Sequence, residues 1–147
     1  MDKYDCLKLK NQLCFPLYSV SNKITRNYKP LLDALNLTYT QYIVMMVLWE
    51  RESINEKELG KTLFLKSNTL APLLQKLKSK GYIIIKKDKK DNRSIVISLS
   101  KKGIDLKNKA VNVPPSIAKT INLSDDEVTY LYKILYKILE VNDNDNL

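Results

Sequence analysis

The sequence predicts a mainly α-helical chain with one small β-hairpin, an α+β arrangement built as a single domain over residues 1–147. Three observations predict it. Apolar residues recur at three- and four-residue spacing along much of the chain. Two β-branched runs flank a single polar loop near its middle. The 147 residues, 44% of them hydrophobic and only three of them Gly, suffice to bury one sizeable core.

The elements follow in order. Leu13, Leu17, Val20 and Ile24, extended by Tyr28, form the stripe of an amphipathic helix that should end before Pro30. The run Tyr42 to Trp49 is too continuously apolar for a surface element and reads as a buried helix behind the turn Leu37-Thr38-Tyr39-Thr40, with Thr40 as its N-cap. Two short helices come next: Asn55 to Leu63, with Asn55 as N-cap and Glu58 three residues on, and Ser67 to Lys80, closed by Gly81. Tyr82 to Lys87 and Ser94 to Leu99 are β-branched strands around the loop 88–93. Ser100 caps a short helix, Pro114-Pro115 interrupts, and Ser124-Asp125-Asp126-Glu127 is a capping box for a last helix with Val128, Leu131, Leu135 and Ile138 on one stripe. The polar end 141–147 should fray.

Two adjacent short helices followed by a cation-rich hairpin make a winged helix-turn-helix, here spanning about residues 38–100. The flanking helical regions, about 5–28 and 101–142, carry more apolar surface than so small a core needs, and their natural use is dimerisation.

Charge points the same way. The net charge is +9, and between Arg51 and Lys109 there are 16 Lys and Arg against 6 Asp and Glu, so the excess belongs to the middle of the chain. That concentration is the footprint of a surface for nucleic acid, since phosphate neutralisation releases counterions. A solvated lysine-rich face is the plainer reading. The absence of His excludes His-based triads and His metal sites, and no cofactor or metal is expected. No run approaches a membrane span, and the start MDKYDCLKLK lacks the apolar segment of a signal peptide, so the expectation is a cytoplasmic protein in which two cysteines form no disulfide framework.

The segments NQLCFPLYSVSNKITRNYKPLLDALNLTYTQYIVMMVLWE, LKSNTLAPLLQKLKSKGYI and DKKDNRSIVISLSKKG resemble the organic-hydroperoxide-sensing branch of the MarR family of bacterial repressors. The DNA-binding half alone indicates the broad family; LCFPLY with TYTQY downstream points to the branch. The resemblance implies a non-enzymatic homodimer, an inverted-repeat operator on double-stranded DNA, and loss of binding when a thiol is oxidised by an organic hydroperoxide.

It also implies roles. Cys14 of LCFPLY becomes the peroxide-reactive cysteine, and Tyr28 and Tyr39 its hydrogen-bonding neighbours. A thiol attacks peroxide as its thiolate, phenol donors aimed at the sulfur favour that anion, and apolar Phe15, Leu17 and Met45 can admit an alkyl chain. Pro16 frees the carbonyl of Gln12, so the helix either kinks there, the reading its upstream periodicity favours, or begins beside Cys14. Cys6 would lie about 12 Å along a continuous helix from Cys14, too far for a disulfide without unwinding. Members of the branch with two working cysteines carry the resolving one in the C-terminal third, where this chain has none, so it resembles the one-cysteine type, whose sulfenic acid condenses with a small cellular thiol or is oxidised further.

On the DNA side, Ser67, Asn68 and Thr69 open the second short helix and face base edges or phosphates in the major groove, with Gln75 and Lys76 further along touching backbone. By resemblance, Arg93 enters the minor groove with Asp91 restraining its guanidinium, while Lys86, Lys87, Lys89 and Lys90 meet phosphates. Two other functions fit the same residues: a regulator that binds a small aromatic ligand without redox chemistry, and a thiol peroxidase, for which the basic helix-turn-helix has no role.

Overall fold

The structure, a computed structural model, describes residues 2–140; the end 141–147 expected to fray, and the last two positions of the expected C-terminal helical region, lie outside the described residues. The chain divides into two compact units between Ile117 and Ala118. The first holds two 3-10 turns (Asp5–Leu7 and Leu9–Asn11), α1 (Cys14–Asp33), α2 (Tyr39–Arg51), β1 (Ser53–Asn55), α3 (Glu56–Leu63), α4 (Ser67–Ser79), β2 (Ile83–Lys87), β3 (Ile95–Leu99), α5 (Lys101–Ala110) and all but the last residue of α6 (Val113–Ala118). The second is built on α7 (Asp125–Leu139).

The first helix differs from expectation at both ends. Residues 5–12 are not α-helical: Lys8 and Gln12 are extended between and after two 3-10 turns, and the side-chain amides of Asn11 and Gln12 donate to the carbonyls of Asp5, Cys6 and Lys8. Pro16 kinks nothing, because it is the third residue of α1, where an N–H would have no helical partner in any case. Pro30 does not end α1 either. Its missing N–H frees the carbonyl of Arg26 where both residues are exposed, while Leu32, 2% exposed, anchors the last turn in the core.

The cap of α2 is Thr38 rather than Thr40. Thr38 accepts from the Gln41 N–H and the Gln41 side chain accepts from the Thr38 N–H, a reciprocal box that Thr40, inside the first turn, cannot make. α2 is the centre of the core: Tyr42, Val44, Met45 and Leu48 are buried together with Leu59, Leu70, Leu74, Leu77 and Ile97.

α3 starts on the expected cap, with Asn55 accepting from the Glu58 N–H at 2.8 Å. It ends at Phe64 in the left-handed conformation, and Leu65 N–H returns to Gly60 O at 2.9 Å. A Cβ on Gly60 would stand 2.8 Å from Leu65 O, so this tight turn into α4 requires glycine.

The hairpin belongs to a three-stranded antiparallel sheet ordered β1-β3-β2, registered by Ile85 opposite Ile97 and Ile54 opposite Ile97 from the other side. β1 is the unexpected strand, too short to show alternation in the sequence. Ser100 caps α5 as expected, through Gly103 N–H. Pro114 and Pro115 fall in the first turn of α6, so they open a helix after the break at 111–112. α7 carries the expected box between Ser124 and Glu127.

Candidate nucleic-acid interface and thiol site

α4 is two-faced. Leu70, Leu73, Leu74 and Leu77 are buried, and Ser67, Asn68, Thr69, Gln75 and Lys76 are all exposed. Its N-cap, Lys66, offers no side-chain acceptor, so the first N–H groups stay available to an anion. Pro72 removes the helical partner of the Asn68 carbonyl, and both residues are exposed on this same face.

The wing tip is pinned by its own backbone. Asp88 N–H donates to Ser94 O and Ser94 N–H to Asp91 O, while the Asp88 and Asp91 carboxylates accept from Lys90 N–H and Arg93 N–H. In this chain Asp91 meets Arg93 at its backbone, its carboxylate closing a local turn two residues on, and among the described residues it forms no ion pair with the guanidinium expected to be its partner. Lys86, Lys87, Lys89, Lys90 and Arg93 are exposed, and among the described residues none of them is in an ion pair.

Cys14 is the first residue of α1, a free and exposed thiol at the positive end of that helix. Leu13, Phe15, Leu17, Tyr18 and Val20 around it are exposed as well, whereas Met45 is fully buried and forms no part of that surface. Tyr28 and Tyr39 do meet, their rings 5.0 Å apart, and Tyr28 also packs on Tyr42 at 5.8 Å. Cys14 does not join them within one chain, because fourteen residues of helix separate it from Tyr28 by about 21 Å. Burial pushes the Tyr28 phenol up, with Tyr39 adding to it, and pushes Tyr42 up to about 12, with Tyr28 and Tyr39 adding to it. These phenols stay protonated, as donors. Sequence reading placed Tyr42 only in a buried run and missed its place in the tyrosine cluster. Cys6 is free and exposed, its thiol directed at Lys3 O at 3.5 Å.

Between α2, α5 and α6 lies an apolar groove of about 530 Å³ lined by Tyr42, Met46, Trp49 and Val111 among others. Among the described residues no cluster of His, Cys, Asp or Glu can hold a metal, and no helix is long and apolar enough to cross a membrane.

The family described as transcriptional regulator SarA/Rot matches residues 26–110, from the middle of α1 to the end of α5. Over 139 residues the chain is 44% identical to the organic hydroperoxide resistance transcriptional regulator of Bacillus subtilis, covering 95% of each chain. This is a MarR-family transcriptional regulator. Among solved structures, reduced AbfR bound to DNA superposes with a TM-score of 0.76 at 32% identity, over 94% of this chain and 96% of that one. A MarR variant from E. coli complexed with operator DNA gives 0.76 at 24% identity, over 95% and 99%, a likeness of fold alone. In its winged helix, α4 follows α3 as the second helix of the helix-turn-helix, and the loop between β2 and β3 is the wing.

Proposed function

We propose that this regulator is a homodimeric repressor that binds an inverted-repeat operator and is released when an organic hydroperoxide oxidises Cys14. The observation that carries the reading is an exposed thiol opening α1, in a chain 44% identical to a regulator of organic hydroperoxide resistance. Cys14 sulfur attacks the outer peroxide oxygen, the O–O bond breaks, and the alcohol departs with the proton, leaving a sulfenic acid. That acid condenses with a small cellular thiol, losing water, or is oxidised further. Ser67, Asn68 and Thr69 read the major groove, Gln75, Lys76 and the wing lysines hold phosphates, and unpaired Arg93 enters the minor groove.

Two copies supply what one chain lacks. The exposed apolar residues beside Cys14, and separately the face of α7 bearing Val128, Leu131 and Ile138, serve dimerisation. The partner copy then brings its Tyr28 and Tyr39 to Cys14. DNA affinity measured before and after one equivalent of cumene hydroperoxide, for the parent and Cys14→Ser, tests the reading: the parent should lose DNA and the variant should keep it. The groove beside Tyr42 and Trp49 favours a second reading, an inducer with a small aromatic ring; under it, Cys14→Ser would still be released by such a compound and peroxide would release neither protein.

A further inference from the structure

The α1–α2 corner is tied to the recognition helix by side chains that the winged-helix fold by itself does not require. Lys80, the C-cap of α4, sends its ammonium across to Asn36 O and to Gln41 Oε1, both at 2.7 Å. Gln41 is 3% exposed, and the same Oε1 accepts from Thr38 N–H at 3.1 Å, closing the cap of α2. Next to it the buried Tyr82 hydroxyl donates to Leu35 O at 3.1 Å. Lys80 and Tyr82 are bonded back to the last turn of α4, Lys80 N–H to Lys76 O and Tyr82 N–H to Leu77 O.

Next to Thr38 in the chain is Tyr39, whose ring packs on Tyr28 at 5.0 Å, tilted by 58°. A displacement of these tyrosines therefore moves the Thr38–Gln41 cap, and the cap holds the end of α4. We infer that Lys80, with Gln41 and the Tyr82 hydroxyl, is a latch that positions the recognition helix by the α1–α2 corner and carries a change at Tyr28 and Tyr39 to the DNA-reading face. Its role in the redox response rests on the function proposed above; its role in positioning does not. Apolar contact also joins α2 and α4, but packed methyl groups slide by fractions of an ångström at little cost. The amide oxygen of buried Gln41, holding an ammonium and an N–H at once, does not, because that acceptor is costly to leave unmet.

The test uses the full-length protein and an about 30-base-pair duplex selected by the reduced protein from a random pool. Parent, Lys80→Met, Tyr39→Ala and the double variant are compared for affinity in the reduced state, with Lys80→Arg as the conservative control. If the latch couples the corner to α4, the two changes together weaken binding less than the product of their separate effects, by about 2- to 30-fold. After cumene hydroperoxide, Lys80→Met should lose affinity less steeply than the parent by a factor in the same range. Its Cys14 thiol should disappear at the parent's rate and its melting should stay cooperative, which a merely unfolded variant would not give; Lys80→Arg should recover part of the coupling. Effects that multiply in the reduced state overturn the latch. So does a peroxide response in Lys80→Met equal to the parent's. If peroxide leaves the parent on DNA, the redox function falls by itself, and the reduced-state cycle still decides the latch.

Discussion

Cys14 owes its position to Pro16. In the first turn Pro16 forfeits no helical hydrogen bond, so α1 can begin at Cys14 and the thiol sits at that helix's exposed end rather than inside it. Cys14→Ser, which changes one atom there, should leave DNA affinity within a factor of two of the parent while abolishing the response to hydroperoxide. Tyr28→Phe and Tyr39→Phe should also bind DNA, yet lose Cys14 thiol to peroxide at least about tenfold more slowly, because a hydrogen bond to a charged group contributes about 1.5–3 kcal/mol. Stopped-flow consumption of the thiol reads this directly, and unchanged rates would remove both phenols from the site. Tyr42 makes a different prediction. Its phenol is held up to about 12, so between about pH 10 and 12 the native state keeps a proton that the unfolded chain has released. Stability is therefore full below pH 10 and falls as pH rises through that window. Denaturant titrations should show Tyr42→Phe losing less stability across it than the parent does.

At the scale of elements, the wing and the recognition helix read different parts of DNA. Arg93→Ala should weaken binding by about 1–3 kcal/mol if the free guanidinium enters a groove, whereas a single change among Lys86, Lys87, Lys89 and Lys90 should chiefly lower the salt dependence of binding. Equal and small effects at all five positions would mean a merely solvated wing. These elements were the legible part of the sequence. Asn55, Ser100 and Ser124 cap the helices that their side chains announce, because a cap is a local hydrogen bond encoded within four residues. The illegible parts depend on distant partners. β1 exists only because Ile54 lies opposite Ile97, and α1 runs through Pro30 only because Leu32 is buried further on. The resemblance pairs Asp91 with the Arg93 guanidinium, whereas here its carboxylate accepts from the Arg93 N–H two residues on. The latch at Lys80 joins residues 39 and 44 positions apart, beyond any local pattern.

For the whole molecule, the separation of Cys14 from Tyr28 decides how many chains a working site needs. Both lie on one straight helix, about 21 Å apart along its axis, and a tyrosine side chain spans only a fraction of that. If all three groups act together, the thiol of one copy must meet the tyrosines of another, and the dimer is part of the chemistry as well as of DNA reading. Sedimentation should then give twice the 17.0 kDa chain mass. Charged residues in place of Leu131 and Leu135 should give monomers that lose DNA affinity. Subunit mixing tests the shared site itself. A Cys14→Ser homodimer has no thiol to react, and a Tyr28→Ala homodimer has only impaired sites. Refolding the two together produces mixed dimers in which one site joins the intact Cys14 of one copy to the intact Tyr28 of the other. Those mixed dimers should regain parental reaction rates at half the parental number of thiols. A site contained within each chain gives the opposite result, since every Cys14 left in the mixture would still face its own altered Tyr28 and the slow rate would persist.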